Sequence, residues 1–442
     1  MATIIVTTTE DSVDPNDGVL SLREAIELAN QDAAADTIVF ASGSGEAFEN
    51  GGLIRLTWGE LELTTDITID GDVDGDGKAD VTISGDANGD DLLLEGTDFT
   101  DAINNTYTSD NSRVFVIGDG NNAMTANLNS LNITGGSIAG NGGGILVDTD
   151  ATLNLNQSGV IGNRAARGGG IDVKYGFANI TNSVIAYNQA ESGGGVSHYG
   201  GTIDFTNTTF AANQASVEGG ALYSYNGAAT LDHVTMTGNV AGSGGGIYDL
   251  SGGVSLTNSI VLGNDAGGSG DNLNVNVFDD GSNIVGDNGE TVEEVFADTH
   301  TSQFGDFKVG DLADNGGAVE TVALRGDPDK VAIDAVTSTL TEDARGEARP
   351  TDMASAPDGD GLADIGAYEV TEAIFVVTTT EDSVDDTDGV LSLREAIILA
   401  NTAPDADTIV FDAELFENGG LLRLTQGTLE LTTDITINGD VD

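Results

Sequence analysis

The chain has 442 residues and sets 74 Asp+Glu against 14 Lys+Arg, a formal charge of −60, with 62 Gly, 5 Pro and no Cys. Such a balance offers no electrostatic grip on phosphate, which excludes nucleic acid and anionic membrane as partners. The missing cysteines exclude disulfides, thiolate metal sites and cysteine nucleophiles together. At 39% hydrophobic, with apolar residues in short alternating runs, the sequence reads as folded. Its apolar runs fall far short of the ~18 residues of a membrane span, so no membrane insertion is expected in this segment.

Met1 and Ala2 lead straight into strand-like Thr3-Ile4-Ile5-Val6, which does not resemble a secretion signal, and the expectation is a piece of a longer chain. Ser21 opens the one clear amphipathic helix. Leu22, Ala25, Ile26 and Ala29 share a face, and Ser21 is a natural N-cap. Such a helix at the mouth of a stacked-strand body covers unpaired strand edges, which makes Arg23 and Glu24 structural rather than catalytic.

The sharpest local signal for chemistry is the run Asp72-Val73-Asp74-Gly75-Asp76-Gly77-Lys78-Ala79-Asp80. Alternating carboxylates at Asp72, Asp74, Asp76 and Asp80, with the backbone carbonyl of Lys78 between, follow the order of a calcium loop. Position twelve is Ile83 rather than Glu, so the loop is of a short DxDxDGxxD type. Asp358, Asp360 and Asp364 form a shorter relative and are further expected calcium ligands. Asp14, Asn16 and Asp17 beside Gly18, with Asp385 and Asp388 later, are weaker. The single run Gly267-Gly268-Ser269-Gly270-Asp271 is discounted because its spacing is one residue short of a calcium-binding nonapeptide.

Between about 131 and 270 a fine repeat appears. Asn163, Asn188, Asn213, Asn239 and Asn264 are separated by 25, 25, 26 and 25 residues, and glycine clusters follow the first four. Leu155, Ile180, Phe205, Leu231 and Leu256 form one apolar column in register. Val160, Ile185, Phe210, Met236 and Val261 form another. The segment is too rich in Gly, Asn, Thr and Ser for helix, and its spacing matches one coil of a parallel β-helix, about 4.8 Å thick. Gln157, Asn182, Asn207, His233 and Asn258 make a further polar column. It is read either as a hydrogen-bonded ladder along the axis or as plain surface polarity.

Residues 6–30 return almost letter for letter 371 positions later, at 377–401, and 61–69 return at 429–437. The expectation is one full unit followed by the opening of the next, taken from a tandem array and broken off at Asp442, the counterpart of Asp74. The organisation that follows is a capping module with calcium loop (1–100), coils (101–290), a closing segment (291–371) expected to cap the helix, and a second opening module (372–442).

The motif Leu20-Ser21-Leu22-Arg23-Glu24-Ala25-Ile26 resembles the bacterial surface-protein domain named for its Cys-Ser-Leu-Arg-Glu-Ala signature, with Leu20 in place of the cysteine. The Gly-Gly-Ile coils are similar to those of polymorphic outer-membrane proteins and other pectate-lyase-like helices. The segments 344–350 and 363–369 resemble the closing motif of choice-of-anchor proteins. The resemblance implies an all-β, right-handed parallel β-helix with a short N-terminal capping helix, secreted or displayed on the cell surface. It implies little about activity, because this fold carries lyases, epimerases and passive stalks alike.

The resulting expectation is a non-enzymatic, calcium-stabilised unit of a stiff extracellular rod or filament. It would adhere, space or coat, with calcium, adjacent copies or head-to-tail partners, and glycans as its contacts. The alternative is a β-helix that binds or processes polysaccharide, as a lyase or epimerase. Asp172, Lys174, Tyr175, His198, Tyr199, Tyr223, Tyr225, Tyr248 and Asp249 follow the glycine clusters and would line its groove, although alternation turns Tyr223 inward. Lys174, Arg164 and Arg167 are few cations for an anionic substrate, and His198, His233 and His300 do not cluster.

Overall fold

The 25-residue spacing is the circumference of one coil. A computed structural model of the chain describes residues 2–89, 111–274, 277–279, 282–286, 290–325, 331–350, 363–371, 374–384, 390–401, 407–416, 420–433 and 435–439. In it the strands stack as a parallel β-helix whose faces are sheets of ten, nine and seven strands, with a four-stranded sheet on a fourth side of the middle coils. A representative coil runs through Ile171–Lys174 on the seven-stranded face and Phe177–Thr181 on the ten-stranded face. It continues through Val184–Ala186 on the nine-stranded face and Gln189–Ser192 on the four-stranded one. Both apolar columns pair residue over residue through successive coils. All ten side chains point inward and are at most 1% exposed, each burial contributing about 1.5–3 kcal/mol.

The five repeat asparagines stand directly above one another inside the wall and form the polar counterpart of this core. The backbone N–H and Nδ2 of Asn188 both donate to Oδ1 of Asn213, at 3.1 and 3.0 Å. Asn163 makes the same pair of bonds to Asn188, Asn213 to Asn239, and Asn239 to Asn264. Each Nδ2 also reaches a carbonyl of the preceding coil, Val160 for Asn188 and Ile185 for Asn213, both at 2.8 Å. An amide is the one side chain that supplies both the acceptor and the donors this corner lacks.

The polar column read either as a ladder or as surface polarity serves to turn the chain. Gln157, Asn182, Asn207, His233 and Asn258 have φ between 48° and 53°, the left-handed corner that links the ten- and nine-stranded faces. Asn tolerates this region better than most residues because its short polar side chain bonds locally. One side-chain rung is present, Asn207 Nδ2 to Asn182 Oδ1 at 3.2 Å. Across the coil, the glycine clusters permit close backbone approach. A Cβ on Gly169 would lie 2.4 Å from the carbonyl oxygen of Gly194 in the next coil.

The N-terminal helix Leu22–Ala29 closes the first coil. Ser21 and Glu24 form a reciprocal capping box, and Leu22, Ala25, Ile26 and Ala29 sit in the main core. Arg23 clamps Asp11 through two bonds, at 2.8 and 3.0 Å, and donates to the carbonyls of Gly59 and Glu60. The second copy builds the same helix, Leu393–Ala400, with the Ser392–Glu395 box and an Arg394–Asp382 clamp.

The closing segment lies along the flank of the coils rather than across their end. Gly310 N–H donates to Thr237 Oγ1, Ala367 N–H to Thr235 Oγ1, and Gly366 N–H to the Asn258 carbonyl. Val319 packs on Val184, Ala186 and Ala211, while Phe296, Leu324 and Tyr368 pack with Ile260 and Leu262. The nine-stranded face therefore has apolar or small residues on its outer side, and its middle strands are buried on both sides.

Replacing Asn213 by Ala leaves the buried N–H of Asn188 without its partner, at about 1–3 kcal/mol, and removes the amide's links to both neighbouring coils. The urea midpoint of Asn213→Ala is expected to fall well below that of Asn182→Ala, which removes one half-exposed rung.

Candidate metal centre

In ordinary coils the corner between the ten- and nine-stranded faces takes two residues, as in the passage from Asn156 to Gly159. Between Ile67–Asp70 and Val81–Ser84 the same corner expands into ten residues, 71–80, and these hold the acidic motif. The carboxylates of Asp72, Asp74, Asp76 and Asp80 present oxygens that all lie within 4.8 Å of one another.

The loop holds this arrangement through its own backbone. Asp72 accepts the N–H groups of Gly75 at 2.7 Å and Gly77 at 3.0 Å, Asp74 that of Asp76 at 3.1 Å, and Asp76 that of Lys78 at 2.8 Å. Asp80 reaches back to the N–H of Val73 at 2.9 Å. The next coil grips the loop where Ser130 Oγ donates to the Gly77 carbonyl and Asn132 Nδ2 to the Ala79 carbonyl, both at 3.2 Å. Ile83 is a core residue of the following strand and is fully buried, so the twelfth position is no ligand.

Four carboxylates this close repel one another, by about 1 kcal/mol per pair in bulk water and several times that near a protein surface. A hard divalent cation offsets that repulsion, and an all-oxygen donor set with no nitrogen or sulfur is the set calcium prefers.

Of the second acidic run, Asp358 and Asp360 lie outside the described residues, as do Asp385 and Asp388. Asp364 is buried in the closing segment and turned away from solvent. Its oxygens accept the N–H groups of Asp334 at 2.8 Å and Val370 at 2.6 Å, and burial beside Glu369 pushes its carboxyl well above the usual range. Asp14 and Asp17 accept nearby N–H groups within their own turn.

The residues after the glycine clusters fall on two sides of one wall. His198, Ser224 and Asp249 point into the interior and are fully buried, with His198 Nδ1 3.4 Å from Ser224 Oγ. That position removes His198 from any solvent-facing groove. Tyr223 points outward, against expectation, because Leu222 and Ser224 take the inward places in register with Val196 and His198. It stacks on Tyr248 with ring centroids 5.9 Å apart. Tyr175, Tyr199 and Tyr225 form a second outer column at 5.2 and 4.9 Å. Lys174 pairs with Asp148 at 3.3 Å.

Sequence reasoning did not single out Arg113 as a partner of Asp172. Asp172 is 2% exposed, bonded to Asn141 Nδ2 at 3.2 Å and close to Arg167 and Arg113, and burial pushes its carboxyl up to about 6. A carboxyl raised in the folded state binds a proton that the unfolded chain has already released, so its cost grows as pH rises from about 4 to 6 and is complete above that. Asp172→Asn is expected to stabilise the fold by about 2–3 kcal/mol at pH 8, the gap to the parent chain closing between pH 6 and 4 in paired denaturant titrations.

No helix among the described residues is long and apolar enough to cross a membrane. Comparison with protein-family models, with curated proteins and with solved structures returns no match in any of the three.

Proposed function

We propose that the chain is a calcium-stabilised structural unit of a secreted or cell-surface protein, in which stacked coils form a stiff rod for spacing, display or adhesion. The observation that carries this reading is the four-aspartate corner loop, bonded to the coil that follows it. A cation there ties one turn of the stack to the next and offsets part of a charge of −60 that otherwise opposes compaction. Calcium at extracellular concentration suits a loop of this exposure, and the resemblance to bacterial surface domains points to the same compartment. On this reading no catalysis is involved, and the contacts are calcium and neighbouring copies of the same unit, adjacent in the chain or head to tail.

A second reading, polysaccharide binding, draws on the two outer tyrosine columns. Their rings follow one another along the rod axis on the seven-stranded face, edge-on or tilted in the Tyr175–Tyr199–Tyr225 column and stacked in the Tyr223–Tyr248 pair, and a saccharide chain would find apolar ring surface there.

Thermal unfolding in calcium against EDTA tests the first reading. Calcium at one hundred times its dissociation constant adds about 2.7 kcal/mol, read as a higher melting temperature. Asp74→Asn, which removes charge from an exposed ligand, should abolish most of that increment. Identical melting in EDTA and calcium removes the metal from the proposal.

A further inference from the structure

A cleft of about 540 Å³ opens between the capping helix and the start of the seven-stranded face. Arg23, Glu27, Trp58, Glu60, Glu62 and Arg113 line it. Trp58 is the only tryptophan of the chain and is 64% exposed.

The duplicated module provides an internal control for what these side chains do. In the second copy the loop folds with the same bonds. Asp382 accepts the N–H groups of Thr425 and Gln426, as Asp11 accepts those of Thr57 and Trp58. Arg394 donates to the carbonyls of Gly427 and Thr428, as Arg23 does to those of Gly59 and Glu60. Gln426 stands where the first copy has Trp58, so the indole is not needed to shape the loop. Across the helix Leu22–Ala29 and residues 57–63, the copies differ at three positions. Glu27 is replaced by Ile398, Trp58 by Gln426 and Glu60 by Thr428. All three residues of the first copy line the cleft. The framework is the same in both copies and the chemistry of one surface is not.

We infer that this cleft is a binding site for a neutral saccharide, one ring stacked on Trp58 and its hydroxyls donating to Glu27 and Glu62. The inference rests on the polysaccharide-binding reading and places that contact at a specific site. An exposed indole offers the broad apolar face that a sugar ring's C–H side covers, and the cleft volume falls within the ~300–1,000 Å³ of small-ligand sites. Both guanidiniums are already committed. Arg23 holds Asp11 and two carbonyls, while Arg113 holds Glu60 at 2.7 Å and the carbonyls of Asn141 and Gly142. They leave little to draw in an anion, and with Arg23 spent on Asp11 and Arg113 on Glu60, the uncompensated carboxylates of the cleft are Glu27 and Glu62. Glu27 and Glu62 are exposed acceptors for hydroxyl donors.

Because the chain has one tryptophan, its emission reports on this site alone. Titrating the full chain, in calcium, with cello-, xylo- and chito-oligosaccharides is expected to give a saturable blue shift with at least one series. By calorimetry with that series, Trp58→Gln should bind roughly tenfold or more weakly, while melting at the parent temperature. The proposal is overturned by emission that responds only to tetralysine or choline. It is equally overturned by a saccharide that binds calorimetrically while leaving emission unchanged, which moves the contact to the tyrosine columns and leaves the broader reading standing. Absence of binding to every series removes both.

Discussion

Stacking coils of one chain imposes a single demand: every coil must offer the next the same cross-section and the same complement of backbone partners. Straight strands meet it through their ladders. Corners do not, because there the peptide groups turn out of register with those above and below. The buried column Asn163 to Asn264 meets the demand at one corner by inserting a side-chain amide where peptide groups cannot pair. From Asn188 onward each amide oxygen accepts two bonds from the coil before, and each amide nitrogen ties two coils. In so dry a place a missing partner costs more than the bond gains, so the ladder fixes the coil length as firmly as the hydrophobic columns fix the interior. The single 26-residue interval between Asn213 and Asn239 is absorbed without breaking it.

The left-handed corner carries a different load. There the closing segment docks, and it uses members of that column as its anchor points. Asn207 donates to the Glu342 carbonyl at 2.8 Å and receives Arg349 at 3.3 Å, while the Asn258 carbonyl receives Gly366. Arg349 and Glu369 form an ion pair at 2.9 Å with both side chains fully buried, Arg345 lies 3.7 Å from the centre of the Tyr368 ring, and Asp343 holds Arg345 at 2.8 Å. Desolvating these charges cancels much of their attraction, so the network adds little net stability while tolerating only one arrangement of its members. Apolar packing along the nine-stranded face holds the segment on, and the charges set where it sits.

Periodicity made the architecture legible. Two apolar columns and a glycine cluster per 25 residues sufficed to read a coil, and Ser21 with Glu24 marked the cap. The acidic loop was legible too, since alternating aspartates around glycines bring their carboxylates together without help from distant residues. The errors have a common origin in residues with two uses. Asparagine serves as an amide linker and as a left-handed corner residue, and spacing alone does not say which column does which. Alternation misplaced Tyr223 because Ser224, a polar residue, occupies an inward position beside His198. The closing segment gave no sign that it lies along a flank, because its partners Thr235, Thr237 and Asn258 read simply as polar coil residues. Arg113 and Asp172 are 59 positions apart in the chain and separated by an intervening coil, which no local pattern encodes.

The two opening modules show how far a coil's burial belongs to its neighbours rather than to itself. Leu56, Leu63 and Ile69 are at most 1% exposed in the first copy, where the strands Val81–Ser84, Phe115–Ile117 and Met124–Asn129 stack on theirs or follow them. Their counterparts Leu424, Leu431 and Ile437 are 52, 49 and 41% exposed, and no described coil follows them. The second module nevertheless keeps its helix, capping box and arginine clamp, and its strands Ile374–Val377, Asp407–Phe411 and Ile435–Ile437 pair in the order of the first. Its local instructions are complete and its burial is not. Stability in such a body accumulates across interfaces between successive coils, so the proposed cation at the early corner would act on the one quantity a single coil cannot supply for itself.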